Sequence, residues 1–179
     1  YARMDGIARR HMEVLTRHWP KAATANGAAH VLDVGCSAGL FLKRARDAGF
    51  AVSGLEMSPR SVDYARDALG LNVQQGAIED ADFADASFDI ITLFDVIEHL
   101  LDPYAAAKQL AKWLKPGGIL LMSTPNIDGL FPRVSYLTAK ALDYWPHPEP
   151  PHHVFQFSEK TLGALARQAG LQPAQADHF

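Results

Sequence analysis

Two acidic residues and two glycines carry the first chemical signal. In V-L-D-V-G-C-S-A-G, Val31 to Gly39, an apolar stretch ends at Asp33 and breaks into Gly35 and Gly39, with Cys36, Ser37 and Ala38 between them. A tight turn needs one glycine; two, four positions apart, suggest that something lies against the backbone. Where a strand runs straight into a helix, the turn presents free backbone N–H groups and the positive end of the helix dipole. A side chain at Gly35 or Gly39 would push a ligand away from it. The competing reading is a plain strand–helix turn. The dinucleotide fingerprint G-x-G-x-x-G uses its middle glycine to admit a pyrophosphate. Ser37 stands in that place, which argues against NAD or FAD and for a nucleoside ligand without a diphosphate. No G-K-[ST] follows, so a nucleoside-triphosphate loop is excluded. Glu56 ends the next apolar stretch, and a carboxylate there can accept hydrogen bonds from both hydroxyls of a ribose; a solvated strand-end glutamate is the alternative.

A second group of candidates lies in D-Y-W-P-H-P-E-P-P-H-H-V-F-Q-F, where His147, His152 and His153 fall among prolines. A histidine titrates near pH 6.5 and can act as a base at neutral pH. The competing role is structural, fixing a cap. Zinc-motif spacing is absent, and no metal is expected. Tyr144, Trp145 and Phe155 read equally as pocket walls or as cap packing.

These residues need a frame. H-V-L-D-V-G, F-A-V-S-G-L-E, N-V-Q-Q-G-A-I-E, F-D-I-I-T-L-F-D-V and G-I-L-L-M-S-T-P-N read as five strands, the fourth apolar enough to be buried on both faces. Helices alternate with them. A-G-L-F-L-K-R-A-R-D-A-G turns Leu40, Phe41 and Ala45 inward and stops at Gly49. S-P-R-S-V-D-Y-A-R-D-A-L starts on the cap Ser58 with Pro59 in its first turn, and D-P-Y-A-A-A-K-Q-L-A-K-W-L-K-P-G-G repeats that device with Asp102 and Pro103, ending at Gly117. An N-terminal helix carries Ile7, Met12, Leu15 and Trp19 near helical spacing, and K-A-A-T-A-N-G-A-A is a loose connection. A last helix, capped by Ser158, turns Leu162, Leu165, Ala166 and Ala169 inward, after which L-Q-P-A-Q-A-D-H-F begins a sixth strand. Strict alternation implies an α/β, doubly wound, mostly parallel sheet with helices on both faces. Ligands of such sheets bind beyond the carboxyl ends of the strands, where strand order reverses. That places the chemistry at Gly35–Gly39, Glu56, Ala77–Glu79, Phe94–His99 and Thr124–Asn126. The expected division is residues 1–29, an N-terminal helix and linker, and 30–179, one binding domain with a cap segment over 127–157.

Composition narrows the classes. The chain has 179 residues and a net charge of −3, with no basic stripe to suggest nucleic acid. No apolar run approaches the ~20 residues of a membrane helix. Cys36 is the single cysteine, so no internal disulfide forms, and a reducing cytoplasm fits. The chain does not begin with Met and reads as part of something longer.

The stretches V-L-D-V-G-C-S-A-G, G-L-E-M-S, G-A-I-E-D-A-D-F-A-D-A-S-F-D-I-I-T-L-F-D-V-I-E-H-L-L-D-P and L-K-P-G-G-I-L-L-M-S-T-P-N, in this order, resemble the successive motifs of class I S-adenosylmethionine-dependent methyltransferases. The H-x-x-x-F-S-x-x-T-L segment from His153 is similar to that of a subgroup including ubiquinone-type and small-molecule O-methyltransferases. The resemblance implies a Rossmann-like methyltransferase fold, here with the seventh strand missing, and S-adenosylmethionine as cofactor. It also implies roles. Asp33, Gly35, Cys36 and the turn to Gly39 would hold the methionyl part, Glu56 the ribose, and Met57 one face of adenine. Ala77, Ile78 and Glu79 would line the ring edge and other face. Phe94 and His99 would contact the cofactor near the sulfonium. Asp95 would carry the nearest charge, and His153 or His152 would serve as base toward a small-molecule hydroxyl. Many relatives carry Gly-Asp where this chain has Gly76-Ala77, which removes one acceptor for the adenine amino group. A nicotinamide-dependent dehydrogenase is one rival, disfavoured by Ser37 and the acidic fourth-strand segment. A non-catalytic cofactor-binding module of a longer chain is another.

Overall fold

A computed structural model of the chain describes residues 2–25, 27–129 and 154–175. It contains five parallel strands in one sheet, flanked by helices. Strand β3 (His30–Val34) lies at the centre, and every residue from Val31 to Val34 is buried. Beside it on one hand run β4 (Ala51–Glu56) and then β5 (Val73–Gln75); on the other run β6 (Phe88–Phe94) and β7 (Leu114–Ser123). The chain thus builds outward from β3 in one direction and returns to build in the other. The switch point falls between β3 and β6, which pair in parallel with Val31 opposite Ile90 and Asp33 opposite Thr92. That register brings Asp33, Glu56, the end of β5 and Phe94 to one edge of the sheet.

The chain divides into two compact units, one comprising Tyr1–Phe94 with Lys112–Leu121, the other Asp95–Ala111 with Met122–Phe179. In the first, α1 (Ala2–His18) and α2 (Leu40–Asp47) supply Ala8, Leu15, Phe41, Leu42 and Ala45 to the core against Val31, Val73 and Ile90. Arg44 of α2 donates to Asp5 of α1 at 2.6 Å. Ile7, one of the apolar residues near helical spacing, is 46% exposed, and Ala8 is buried beside it. Here the helical phase, set by Leu15, overrides the larger side chain. The expected loose connection instead folds back as a short antiparallel pair, β1 (Ala23–Thr24) and β2 (Gly27–Ala28).

The caps read from sequence are present. Ser58 accepts from the Ser61 N–H at the start of α3 (Pro59–Asp63), which continues as a wider π turn over Tyr64–Ala68. Gly49, at φ +96°, follows α2 and donates to Arg46 O. In the second unit, Asp102 accepts from the Ala105 N–H. Ser158 and Thr161 cap α5 (Glu159–Gln168) reciprocally, Thr161 doing the work more often given to Glu. Of the inward residues expected on α5, Ala166 is buried while Leu162, Leu165 and Ala169 are half-buried. Several boundaries differ from expectation. The third strand, expected to run to Glu79, stops at Gln75 and gives way to a 3-10 turn over Ile78–Asp80, and the fifth ends at Ser123, short of Asn126. Helix α4 (Pro103–Trp113) stops before Gly117, because β7 begins at Leu114 and holds Gly117 at φ +79° within it. Residues Leu171–Gln175 form no strand.

The amino ends of the strands are closed by paired polar groups. Asp89 accepts from the His30 N–H at 2.9 Å and from Lys115 Nζ at 2.8 Å, and His30 Nε2 lies 3.0 Å from Ser53 Oγ. Burial works to raise the Asp89 carboxyl, but the His30 and Lys115 contacts hold it below the usual carboxylate range.

Gly54 of β4 is a steric requirement of this packing. A Cβ there would stand 2.7 Å from Cys36 Sγ and 2.8 Å from Leu42 Cδ1. Gly54→Ala is therefore expected to cost about 1–3 kcal/mol in urea unfolding. Part of that cost should be recovered when Cys36→Ala is added; strictly additive losses would show that the thiol is not the obstacle.

Candidate active site

The turn after β3 is built from left-handed backbone. Gly35, Ser37 and Gly39 have φ of +75°, +49° and +76°, a region in which glycine is unstrained and serine is not. Its N–H groups are largely spent within the protein. Gly35 and Cys36 donate to Leu55 O at 2.8 and 3.2 Å, Gly39 to Cys36 O at 2.9 Å, and Ser37 to Glu56 Oε2 at 2.8 Å. The expectation that the turn offers free donors is thereby corrected: a diphosphate would find most of them taken. Gly39 also has a packing reason of its own, since a Cβ on it would come within 2.5 Å of Leu71 Cδ1. The Cys36 thiol is buried in the core. Burial and the charges of Asp33 and Glu56 push that thiol well above its ordinary range, so it stays protonated and only its main chain is left for a ligand.

Glu56, at the carboxyl end of β4, is held from two sides. Oε2 accepts from Ser37 N–H and Oε1 from Ser58 N–H, both at 2.8 Å. Each oxygen keeps a further lone pair, so the group is oriented without being exhausted. Asp33, one strand over, is 4% exposed, and Thr92 Oγ1 donates to its Oδ1 at 2.6 Å. Burial pushes the Asp33 carboxyl up to about 7; the Thr92 hydrogen bond opposes this and the charge of Glu56 adds to it. Among the described residues neither carboxylate has an ion-pair partner. Two acidic groups with spare acceptor capacity, and no cation among the described residues, form an acceptor set suited to a ligand bearing an ammonium group and hydroxyls.

Around them, Met57 is 68% exposed at the end of β4, and Ile78 is 5% exposed in a single 3-10 turn, Ile78–Asp80, between half-buried Ala77 and exposed Glu79. Phe94 ends β6, stacked on His11 of α1 with ring centroids 3.9 Å apart and edge-on to Phe41 at 5.5 Å. His11 and Thr92 were not anticipated from sequence. A histidine on a helix and a threonine in an apolar strand carry no local mark; the packing of α1 brings His11 to Phe94, and the β3–β6 register brings Thr92 to Asp33.

In the second unit, Asp95 sits at φ +54°, its N–H on Ser123 O and its Oδ1 accepting from Ser123 Oγ at 2.8 Å. A strained non-glycine residue of this kind is common at functional sites. Glu98 is 2% exposed and its Oε2 has no hydrogen-bond partner among the described residues, while its main-chain O accepts from Val154 and Phe155. His99 is exposed at the end of the Ile97–His99 turn, and Phe155 is 38% exposed. His147, His152, His153, Tyr144 and Trp145 lie outside the described residues. Among the described residues no three His, Cys, Asp or Glu side chains converge as a metal would require, and no helix is long and apolar enough to cross a membrane.

Comparison with known proteins places this geometry. A family profile described as "Methyltransferase domain" matches residues 6–176. A ubiquinone biosynthesis O-methyltransferase of Xanthomonas axonopodis pv. citri is 33% identical over 153 residues, covering 80% of this chain and 63% of its own length. The protein of the same name from Idiomarina loihiensis is 40% identical over 102 residues, 54% of this chain and 42% of that one. The chain thus spans between about two-fifths and just under two-thirds of these relatives' own length. Among solved structures, a SAM-dependent methyltransferase of Thermotoga maritima aligns with a TM-score of 0.62 at 25% identity over 79% of this chain and 63% of its own. One from Archaeoglobus fulgidus shares the fold, with a TM-score of 0.66 at 19% identity over 91% of this chain and 68% of its own.

The raised Asp33 has a consequence for stability. Its folded affinity for a proton exceeds the unfolded value near 3.9. The folded chain therefore keeps a proton the unfolded chain has lost, and this contribution is full below about pH 4 and gone above about pH 7. Asp33→Asn, which cannot titrate, should abolish that fall, worth a few kcal/mol at about 1.4 kcal/mol per unit. Urea unfolding of both proteins from pH 4.5 to 8 reads it; parallel curves would contradict the assignment.

Proposed function

Because this chain belongs to the methyltransferase-domain family, we propose that it transfers the methyl group of S-adenosylmethionine to a hydroxyl oxygen of a small molecule, in the cytoplasm. One observation carries the reading: Glu56 is braced by the Ser37 and Ser58 N–H groups beside an unneutralised Asp33. That pair suits a ribose diol and a cationic amino-acid tail and does not suit a pyrophosphate. When bound, S-adenosylmethionine supplies a methyl group on a positively charged sulfur.

The chain's own residues would do the rest. Asp33 and the main chain of Gly35, Cys36 and Gly39 would hold the methionyl end, and Glu56 the ribose. Met57, exposed beyond β4, would lie on adenine as a polarizable thioether, with Ala77, Ile78 and Glu79 along the ring. Phe94, backed by His11, would close the site against water. Asp95 and His99 would serve the cofactor or the acceptor, and His153 or His152 would remove the proton from the attacking hydroxyl. Orientation is the larger share of such catalysis, up to roughly 7–11 kcal/mol in intramolecular models; a base adds about 10²–10⁴-fold. The relatives named for ubiquinone biosynthesis support oxygen as the acceptor atom.

Two experiments test this. Calorimetry should show S-adenosylmethionine and S-adenosylhomocysteine binding and NAD not binding, with Glu56→Ala weakening the former by at least about tenfold, since a hydrogen bond to a charged group contributes about 1.5–3 kcal/mol. NAD binding in their place would overturn the reading. With a panel of hydroxylated acceptors, replacing His152 and His153 together by Ala should lower kcat by about 10²–10⁴-fold and leave cofactor affinity unchanged. Full turnover by the double variant would remove both from the base role, and cofactor binding without turnover on any acceptor would favour a non-catalytic module.

A further inference from the structure

Thr92 is anomalous where it stands. It interrupts the apolar run I-I-T-L of β6, is 0% exposed, and lies between neighbours that are fully buried hydrocarbons. A buried hydroxyl is costly unless hydrogen-bonded, and valine would fill the same volume. The hydroxyl has two acceptors within reach: Asp33 Oδ1 at 2.6 Å and Leu32 O at 3.4 Å. Asp33 is also its register partner in β3, so the placement is fixed by the sheet and not by a mobile loop.

One hydroxyl has one hydrogen. When Asp33 is ionised, Thr92 can donate to it, and 2.6 Å is the length expected of an O–H donor on a charged oxygen. When Asp33 holds a proton, the carboxyl can donate to Thr92 Oγ1, and the Thr92 hydrogen can turn to Leu32 O. The pair therefore has two hydrogen-bonded arrangements, one for each protonation state, with no group left orphaned. We propose that Thr92 is a positioning residue for the cofactor's cationic end: it aims one Asp33 oxygen, favours the ionised carboxylate, and lets binding of the ammonium group expel a proton from Asp33 to solvent. This rests on the reading above that Asp33 receives that ammonium group. The groups acting on Asp33 are Glu56, from the end of β4, and Thr92; the Cys36 thiol beside the turn remains protonated. Burial and Glu56 raise its proton affinity while Thr92 lowers it, the balance such a device requires.

The test has a part that needs no cofactor. In the unliganded protein, the Asp33 side-chain carboxyl carbon is followed by NMR from pH 5 to 9. Thr92→Val should move its titration to higher pH, and Thr92→Ser should return it toward the wild-type position. The second part uses S-adenosylhomocysteine, in calorimetry repeated in buffers of different ionisation heat near pH 7. The wild type should release a proton on binding. Thr92→Val should bind about tenfold more weakly at pH 7, the deficit shrinking by pH 9, and Thr92→Ser should stay within a few-fold of wild type. Weakened binding with an unmoved titration would make Thr92 merely structural and overturn the proposal. So would wild-type binding with no proton release, a result available even if Thr92→Val fails to fold. If Asp33 titrates as expected but the wild type binds no cofactor, the proposed function has failed and not the coupling between the two side chains.

Discussion

Two carboxylates held at the ends of neighbouring strands, with no cation among the described residues to neutralise them, are the constraint around which this structure is arranged. Like charges placed close together in a partly buried site oppose one another's ionisation, and burial of either adds to the cost. Asp33 records both effects in its raised proton affinity. The fold tolerates this because each group is tied down by different means. Glu56 takes two main-chain N–H groups from the turns on either side of it, while Asp33 takes a hydroxyl from the next strand. What remains unsatisfied is charge, and an incoming cation removes that penalty where a neutral or anionic ligand does not.

The opposite edge of the sheet gives the contrast. There Asp89 is met by Lys115 and by the His30 N–H, and His30 is met by Ser53. His30 is itself held below its ordinary range, by burial first and then by Lys115 against the pull of Asp89. Its neutral form is favoured on folding, so its contribution to stability is full above the unfolded value near 6.5 and is lost as pH falls below it toward the lower folded value. Stability therefore gains from His30 and loses from Asp33 as pH rises toward 7. The same sheet has a saturated polar end and an unsaturated one, and natural sites accept such local cost where it serves binding.

Much of this was legible in the chain. The five strands followed from apolar runs such as F-D-I-I-T-L-F and from their alternation with helices, and the caps at Ser58, Asp102 and Ser158 were recoverable because capping is a local matter of three or four residues. Asp33 and Glu56 stood out because strand ends are where a parallel sheet binds. What could not be read was non-local. Gly39 and Gly54 look alike on paper, yet the atoms that would strike their missing side chains, Leu71 Cδ1 and Cys36 Sγ, come from distant positions. The turn's N–H groups seemed free because their acceptors, Leu55 O and Glu56, belong to a strand some twenty residues on. Ile7 shares the near-helical spacing of Leu15, yet the phase of the helix turns it outward.

The spent turn also bears on ligand choice. In a phosphate-binding loop, left-handed residues aim successive N–H groups at an anion. Here Gly35, Ser37 and Gly39 adopt the left-handed conformation, yet most N–H groups of this segment point at the protein's own oxygens, one of them on Glu56. Conformation alone would have suggested an anion site; the hydrogen bonds make the turn a brace for a carboxylate instead. Ser37 is central to that inversion, since it stands where a dinucleotide fingerprint has glycine and gives its N–H to an acid. A loop that orients negative charge selects for donors and cations, and a nucleoside bearing an amino-acid tail offers both.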